Sequence, residues 1–419
     1  MRIKYLPTVS ANRFLALLAI SVILASGAWA QTQQVLYSLG VVVDDGAGPA
    51  GGLVLDKSGN LYGTTALGRG HGLDPNGSGT VFKLTRKTGG GWAETVLHTF
   101  SGKDGAVPTA TLMLDSAGNL YGTTNQGGAS NAGVVFKLTR GQGGKWAEKV
   151  LYSFTGLNDG GFPVAGVISD AAGNLYGTTQ LGGVFGKGTV FELTHATSGW
   201  AEKVLYSLGQ AGKFPLGGLV FDEAGVLYGT AKNGGKTNSG LVFKLVPEQD
   251  GTWKEVVLYN FLGSAINNTD GRFPRCTLVF DNRGNLYGTT RGGGLFSGGI
   301  VFELTPPAAK RGAWSERVLH YGGDTHGSGH KFLSGVVFDS SGRLYTTSET
   351  GGTFNAGVVF RLTPTANGLW KDKPLYTFTG AIDGGSPMAG VVLDKRGNAY
   401  GTTYTGGDAG NGTVFEIKP

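Results

Sequence analysis

One stretch of this chain shows how its apolar and polar positions are organised. Residues 109–114 (TATLML) are a short apolar run that begins with small side chains, and residues 115–119 (DSAGN) are turn chemistry, because Gly and Asn accept positive φ. Residues 120–124 (LYGTT) are aromatic and β-branched, as strands prefer. A Gly-rich stretch over 127–133 leads to VVFKLT at 134–139, and a turn around Gly143 and Gly144 leads to KVLYSF at 149–154. The pattern predicts four strands, small and apolar in the first, with polar residues concentrated in the third and fourth. That gradient suits a radial sheet whose first strand lines a crowded axis and whose last faces outside.

The same pattern returns seven times, keyed by a tyrosine at 62, 121, 176, 228, 287, 345 and 400, at intervals of 52 to 59 residues. Such a period marks a repeat architecture, in which one unit buries its apolar face only against copies of itself. The ends choose between a ring and an open solenoid. Residues 35–39 (VLYSL) read as a fourth strand, and the chain ends at 412–417 (GTVFEI) with a third. The last repeat therefore lacks what the first residues hold, whereas an open solenoid would need polar caps. The expected fold is all-β: a seven-bladed propeller over residues 31–419 in which the N-terminal strand completes the last blade.

The phrases GNLYGTT, GGxxxxGxVFKLT and WxExVLYSF, in that order, resemble the Gloeo/Verruco (GloVer) tandem repeat of exported bacterial proteins, over nearly all of residues 31–419. The resemblance implies a propeller-like exported protein. It implies no established activity and assigns no catalytic residue. Members with C-terminal anchors differ from this chain, which closes on Ile417-Lys418-Pro419 without a hydrophobic tail.

Residues 1–30 read as a signal peptide. Arg2, Lys4 and Arg13 precede an apolar run over 14–25, and Ala28-Trp29-Ala30 offers small residues for cleavage before Gln31. The run is too short to span an apolar layer of about 30 Å, so a secreted or periplasmic product with no membrane span is expected. Cleavage removes three cations, and the formal charge of +6 falls to +3. So small a charge on a long chain gives no reason to expect nucleic acid as partner. The single Cys276 excludes an internal disulfide framework. Stability must come from packing, and a monomer is expected.

Comparison among the copies separates scaffold from candidate function. Trp92, Trp146, Trp200, Trp253, Trp314 and Trp370 each stand two residues before an acid and read as blade-to-blade packing in preference to a glycan platform. Five loops carry DGxxP, beginning at Asp45, Asp104, Asp159, Asp270 and Asp383. The simpler account is a turn in which Asp caps backbone amides. The sharper one is a ring of carboxylates for Ca²⁺, but one carboxylate per loop is sparse for an ion taking roughly six to eight oxygens, and the turn is preferred. No other cofactor is indicated.

The position after the GTT phrase differs in every copy: Ala66, Asn125, Gln180, Lys232, Arg291, Glu349 and Tyr404. It falls in the loop joining second and third strands, on the face that carries DGxxP. A constant frame displaying private side chains is how a repeat fold builds a binding site; unconstrained surface variation is the other account. The six residues from Asn125 to Tyr404 are the candidate ligand-binding set. The first copy has a longer loop with Arg69, His71 and Asp74, and the sixth exit loop replaces DGxxP with Asp324, His326 and His330, the weaker metal candidates. Cys276, in a first strand, reads as a small core residue. No nucleophile elbow, phosphate loop or dinucleotide fingerprint occurs. The reading that results is a non-catalytic propeller binding a glycan or an extracytoplasmic protein. The alternative is a hydrolase or lyase acting on polysaccharide or a lactone, with its site on the propeller face.

Overall fold

A computed structural model describes residues 32–418 except 43–44, 69–76, 198, 210, 264–268, 310–311 and 324–328. Seven four-stranded antiparallel blades are present, and the repeat phrases map onto them one for one. In blade two the strands are Met113–Leu114, Leu120–Thr124, Val134–Arg140 and Trp146–Ser153. Blade seven takes Val392–Leu393, Ala399–Thr403 and Thr413–Ile417 from the end of the chain and Gln33–Ser38 from its start. The pairing of Gln33 with Ile417 and of Ser38 with Thr413 is the expected closure.

The GTT phrase holds neighbouring blades together. Its first threonine hydroxyl donates to a carbonyl just ahead of the next blade's inner strand: Thr64 to Ala110 (3.3 Å), Thr123 to Ala165 (2.9 Å), Thr178 to Gly217 (3.1 Å) and Thr230 to Cys276 (3.0 Å). Thr289, Thr347 and Thr402 continue the belt to Ser334, Ala389 and Gly51, so the last bond returns to the first blade. Because a buried carbonyl needs a partner, seven copies of one hydroxyl each satisfy one carbonyl in the run that leads into the next inner strand. The glycine before it has a different reason. A Cβ on Gly122 would lie 2.5 Å from the Phe136 ring, and only hydrogen leaves room for that ring.

Seven apolar clusters lie between consecutive blades, from the one joining Tyr62 with Phe136 to the one joining Tyr400 with Phe82. The tryptophans belong to them. Trp146 meets Tyr62 of the preceding blade edge to face at 6.3 Å, and Trp92 and Trp370 meet Tyr400 and Tyr287 in the same way. Each of those tyrosines also donates to an aspartate in the turn before it, Tyr62 to Asp56 for example (3.1 Å), while Asp56 caps the amides of Ser58 and Asn60. The private Cys276 is buried, its sulfur held between the backbone of Thr289 and the core, as a small packing residue is.

Three features differ from the sequence reading. Inner strands contribute only two ladder residues each, because the rest of each small-residue run turns to line a cavity instead of a crowded axis. Third strands are mostly buried: Val134, Val135, Phe136 and Leu138 are fully inside, and polar residues gather in the fourth strand. Each fourth strand also carries a β-bulge. In blade two the register shifts so that Leu151 has no partner and is buried, while Val150 and Tyr152 pair on either side. Among the described residues no helix is long and apolar enough to cross a membrane.

Candidate functional site

The loop that brings the chain into each blade pairs with the loop between that blade's second and third strands. Ala106 bridges Gln126, Gly161 bridges Leu181, Gly385 bridges Thr405, and short strands do the same in the other blades. Both kinds of loop thus lie on one face. The residue ahead of the loop proline sits in the left-handed region: Val107, Phe162, Phe214, Phe273 and Ser386 have φ between 53° and 60°, as does Lys331 in the copy without proline. Side chains pay for that conformation with strain, which the surroundings must hold in place.

A backbone network holds it. The amide of Val107 donates to Ser78 of the preceding blade, and its carbonyl accepts from the amide of Asn125. The same relay runs from Ala132 through Phe162 to Gln180, from Lys187 through Phe214 to Lys232, from Gly298 through Lys331 to Glu349, and from Ala356 through Ser386 to Tyr404. With Ala66, whose amide donates to Gly48, six of the seven positions that vary between copies are ones the backbone clamps. Asn125, Gln180, Lys232, Arg291, Glu349 and Tyr404 are all half-buried, and Ala66 is buried.

Asn125, Gln180 and Lys232 line a central cavity of about 1060 Å³, to which the inner strands of all seven blades contribute. Arg291, Glu349 and Tyr404 are not among its walls. The Tyr404 ring instead lies against Gly48, where a Cβ would come within 2.8 Å of it. The cavity also exposes Arg275, which the sequence reading passed over. Its place directly after the loop proline is taken by Ala50, Thr109, Val164, Leu216 and Met388 in other copies, and by Leu333 after Phe332. The comparison among copies that isolated the GTT position isolates Arg275 equally well once it is extended by one register. The described walls of the cavity carry neither carboxylate nor histidine.

Lys232, Arg275 and Arg291 act on one another. Burial lowers the pKa of Lys232, and the charges of Arg275 and Arg291 lower it further. Burial likewise lowers that of Arg275, with Arg291 adding to the effect and Glu349 opposing it. The Arg275 Nε is buried and meets no acceptor. Lys232 and Arg275 thus meet at the cavity wall, where Arg291 repels both from outside it and Glu349 offsets the charge of Arg275.

The DGxxP aspartates act as turn caps. Asp104 accepts from the Ser101 amide (2.8 Å), Asp159 from Thr155 (2.8 Å), Asp270 from Leu262 (2.6 Å) and Asp383 from Thr379 (2.9 Å). None of them lines the cavity. Four of them stand beside the WxE acid of the next blade: Asp45 by Glu94, Asp104 by Glu148, Asp159 by Glu202 and Asp270 by Glu316. Burial first, and the neighbouring aspartate second, push Glu94, Glu148 and Glu202 up to about 7 and Glu316 to about 8. Among the described residues, only His98, Asp104 and Glu148 bring three metal-ligating atoms within 4.8 Å of one another. There the His98 Nε2 and the Asp104 carboxylate are already paired at 3.0 Å. His330 lies in the short strand Gly329–His330, paired with Thr350–Gly351. Asp324, His326, Arg69, His71 and Asp74 lie outside the described residues. On the same face, Leu157, Val184, Phe185, Phe296, Phe354 and Ile382 stand exposed at loop tips around the rim.

No curated protein matches the chain in sequence. Among solved structures it is similar to a periplasmic gluconolactonase of Pseudomonas aeruginosa, at 15% identity and a TM-score of 0.51, over 78% of this chain and 84% of that one. It is also similar to a candidate 6-phosphogluconolactonase of Bacteroides uniformis, at 14% identity and a TM-score of 0.50, over 77% of this chain and 84% of that one. Identities so low establish a shared propeller fold and nothing finer. The Gloeobacter/Verrucomicrobia repeat matches residues 25–144, 69–266 and 257–415, and the chain belongs to that family.

Proposed function

We propose that this protein is an exported, non-catalytic propeller that binds a ligand, a glycan or an extracytoplasmic protein segment, at the mouth of its central cavity. The observation that carries the reading is the coincidence of variability with rigidity: six of the seven loop positions are locked by one backbone relay, and the side chains at all seven differ in every copy. Loop residues on a rigid scaffold are free to specialise because they hold little of its packing energy. Asn125 and Gln180 supply amide donors and acceptors at the cavity wall, with Lys232 beside them. Arg291, Glu349 and Tyr404 stand at the matching loop positions of blades five to seven, outside its walls. Removal of residues 1–30 on export would leave the strand Gln33–Ser38 near the new terminus.

The competing reading is a hydrolase or lyase for polysaccharide or a lactone. Two fold neighbours carry gluconolactonase names, at identities that show fold alone. Its candidate group centres on the loop that leads into blade six, of which His330 is the described member.

The test is a screen of glycans and peptides against wild type and the double variant Asn125→Ala, Gln180→Ala. Alanine is what the first copy carries at this position, so the frame accepts it. Binding in the variant should weaken by about tenfold or more, equivalent to ~1.4 kcal/mol or more, with Tm unchanged. Unaltered binding would overturn the reading. So would turnover of any screened compound that survives this double variant and is lost in His330→Ala.

A further inference from the structure

Two cations on the wall of a cavity, Lys232 and Arg275, with the charge of Arg291 acting on both, need an explanation that folding does not supply. A repeat needs no charge at these positions: copies with Ala, Thr, Val, Leu or Met in place of Arg275, and with Ala, Asn or Gln in place of Lys232, form the same blade. The cluster is also costly. Arg275 and Lys232 are partly removed from water, they repel each other and Arg291, and the buried Nε of Arg275 is without an acceptor. Glu349 offsets one of the three charges. An unpaired guanidinium on the wall of a concave site is a ready partner for a planar or tetrahedral oxyanion, which it grips through two parallel hydrogen bonds.

Resting on the ligand-binding reading above, we infer that the ligand is an oxyanion-bearing polyol, with its charged group held by Lys232 and Arg275 and its hydroxyls facing Asn125 and Gln180. The two amides come from blades two and three and the cations from blades four and five, so charged and neutral recognition lie along adjacent walls of one cavity. A cavity of about 1060 Å³ has room for a sugar acid or sugar phosphate of one or two rings. A carboxylate and a phosphate ester share the chemistry that the cluster recognises.

Calorimetric titration with glucuronate, glucose 6-phosphate and glucose separates these cases. The variants are Arg275→Leu and Lys232→Gln, each placing a residue that another blade already carries at the same position. At least one anion should bind wild type about tenfold or more tightly than glucose, and each variant should lose about tenfold or more of that affinity and with it the preference over glucose. Added salt should weaken the anion alone. Tighter binding of glucuronate identifies a carboxylate ligand, and tighter binding of glucose 6-phosphate a phosphate ester. Equal affinity for glucose and both anions would overturn the inference, as would retention of anion affinity in the variants or failure of both anions to bind. Loss of glucose binding in Asn125→Ala, Gln180→Ala with no preference for anions would leave the cavity reading standing and this inference refuted.

Discussion

Deleting residues 33–39 should leave a chain that does not hold a monomeric folded state. Leu36 and Leu39 are buried in the seventh-blade closure, and full burial of two such side chains contributes about 3–6 kcal/mol. Native domains are stable by only about 5–15 kcal/mol, so that loss alone consumes much of the margin. The deletion also strips the outer strand from Thr413–Ile417, leaving an unpaired edge next to buried Val414 and Phe415. An exposed edge of this kind recruits other chains. Size-exclusion chromatography and thermal melting of the truncated chain should show association and a large fall in Tm. The single change Leu39→Ala should fold but lose about 2–5 kcal/mol in denaturant titration. A monomer with wild-type Tm after the deletion would mean that the ring does not depend on its closing strand.

The second large effect is a stability optimum on the acid side of neutrality. Glu94, Glu148 and Glu202 titrate near 7 in the folded protein and Glu316 near 8, against an ordinary glutamate value of 4.5. A carboxyl with a raised folded pKa holds its proton more tightly when folded, so its contribution is greatest below 4.5 and is lost as the pH climbs through 7 to 8. The turn aspartates behave oppositely. Burial pushes Asp56, Asp115, Asp170 and Asp281 up, but hydrogen bonds from the following turn outweigh it and hold them below the ordinary 3.8. Their contribution is present above 3.8 and lost on stronger acidification. Tm should therefore be highest near pH 5 and fall steadily toward pH 8.5, as roughly four glutamates are forced to ionise beside aspartates. Replacing Glu94, Glu148, Glu202 and Glu316 together with Gln should flatten that fall. A wild-type Tm at pH 8.5 equal to or above that at pH 5 would show that these acids are not held in the protonated form.

Much of the ring was legible because each blade restates the same instructions. Seven tyrosine phrases, together with a fourth-strand sequence at the start and a third-strand sequence at the end, specify both blade number and closure, and the pairing of Val35 with Phe415 follows from them. The tryptophans were readable as packing because six identical placements serve an interface better than a site. The bulge at Leu151 was not legible: VLYS looks like an unbroken strand, and only the third strand opposite reveals that one residue is unpaired. Nor was the left-handed conformation of Val107 or Phe162, since a residue before proline is expected to be extended and only the tertiary relay makes the strained form stable. Arg275 escaped notice because it stands beside the more conspicuous Cys276, which is core. Half of the ring, Asn125, Gln180 and Lys232, lines the cavity, whereas Tyr404 folds down on Gly48. Position in a loop can be read from sequence, but the direction of a side chain cannot.

The central claim is that ligand is held in the cavity at the ring of private residues. Its most direct test is a crystal structure of the protein soaked with the tightest binder from the titrations. The account expects that molecule ordered at the cavity mouth, with an oxyanion group within hydrogen-bond distance of Arg275 and Lys232 and a hydroxyl facing Asn125 or Gln180. An empty cavity with the same molecule bound on the outer rim, beside His98, Asp104 and Glu148 or against the loop-tip aromatics, would contradict it.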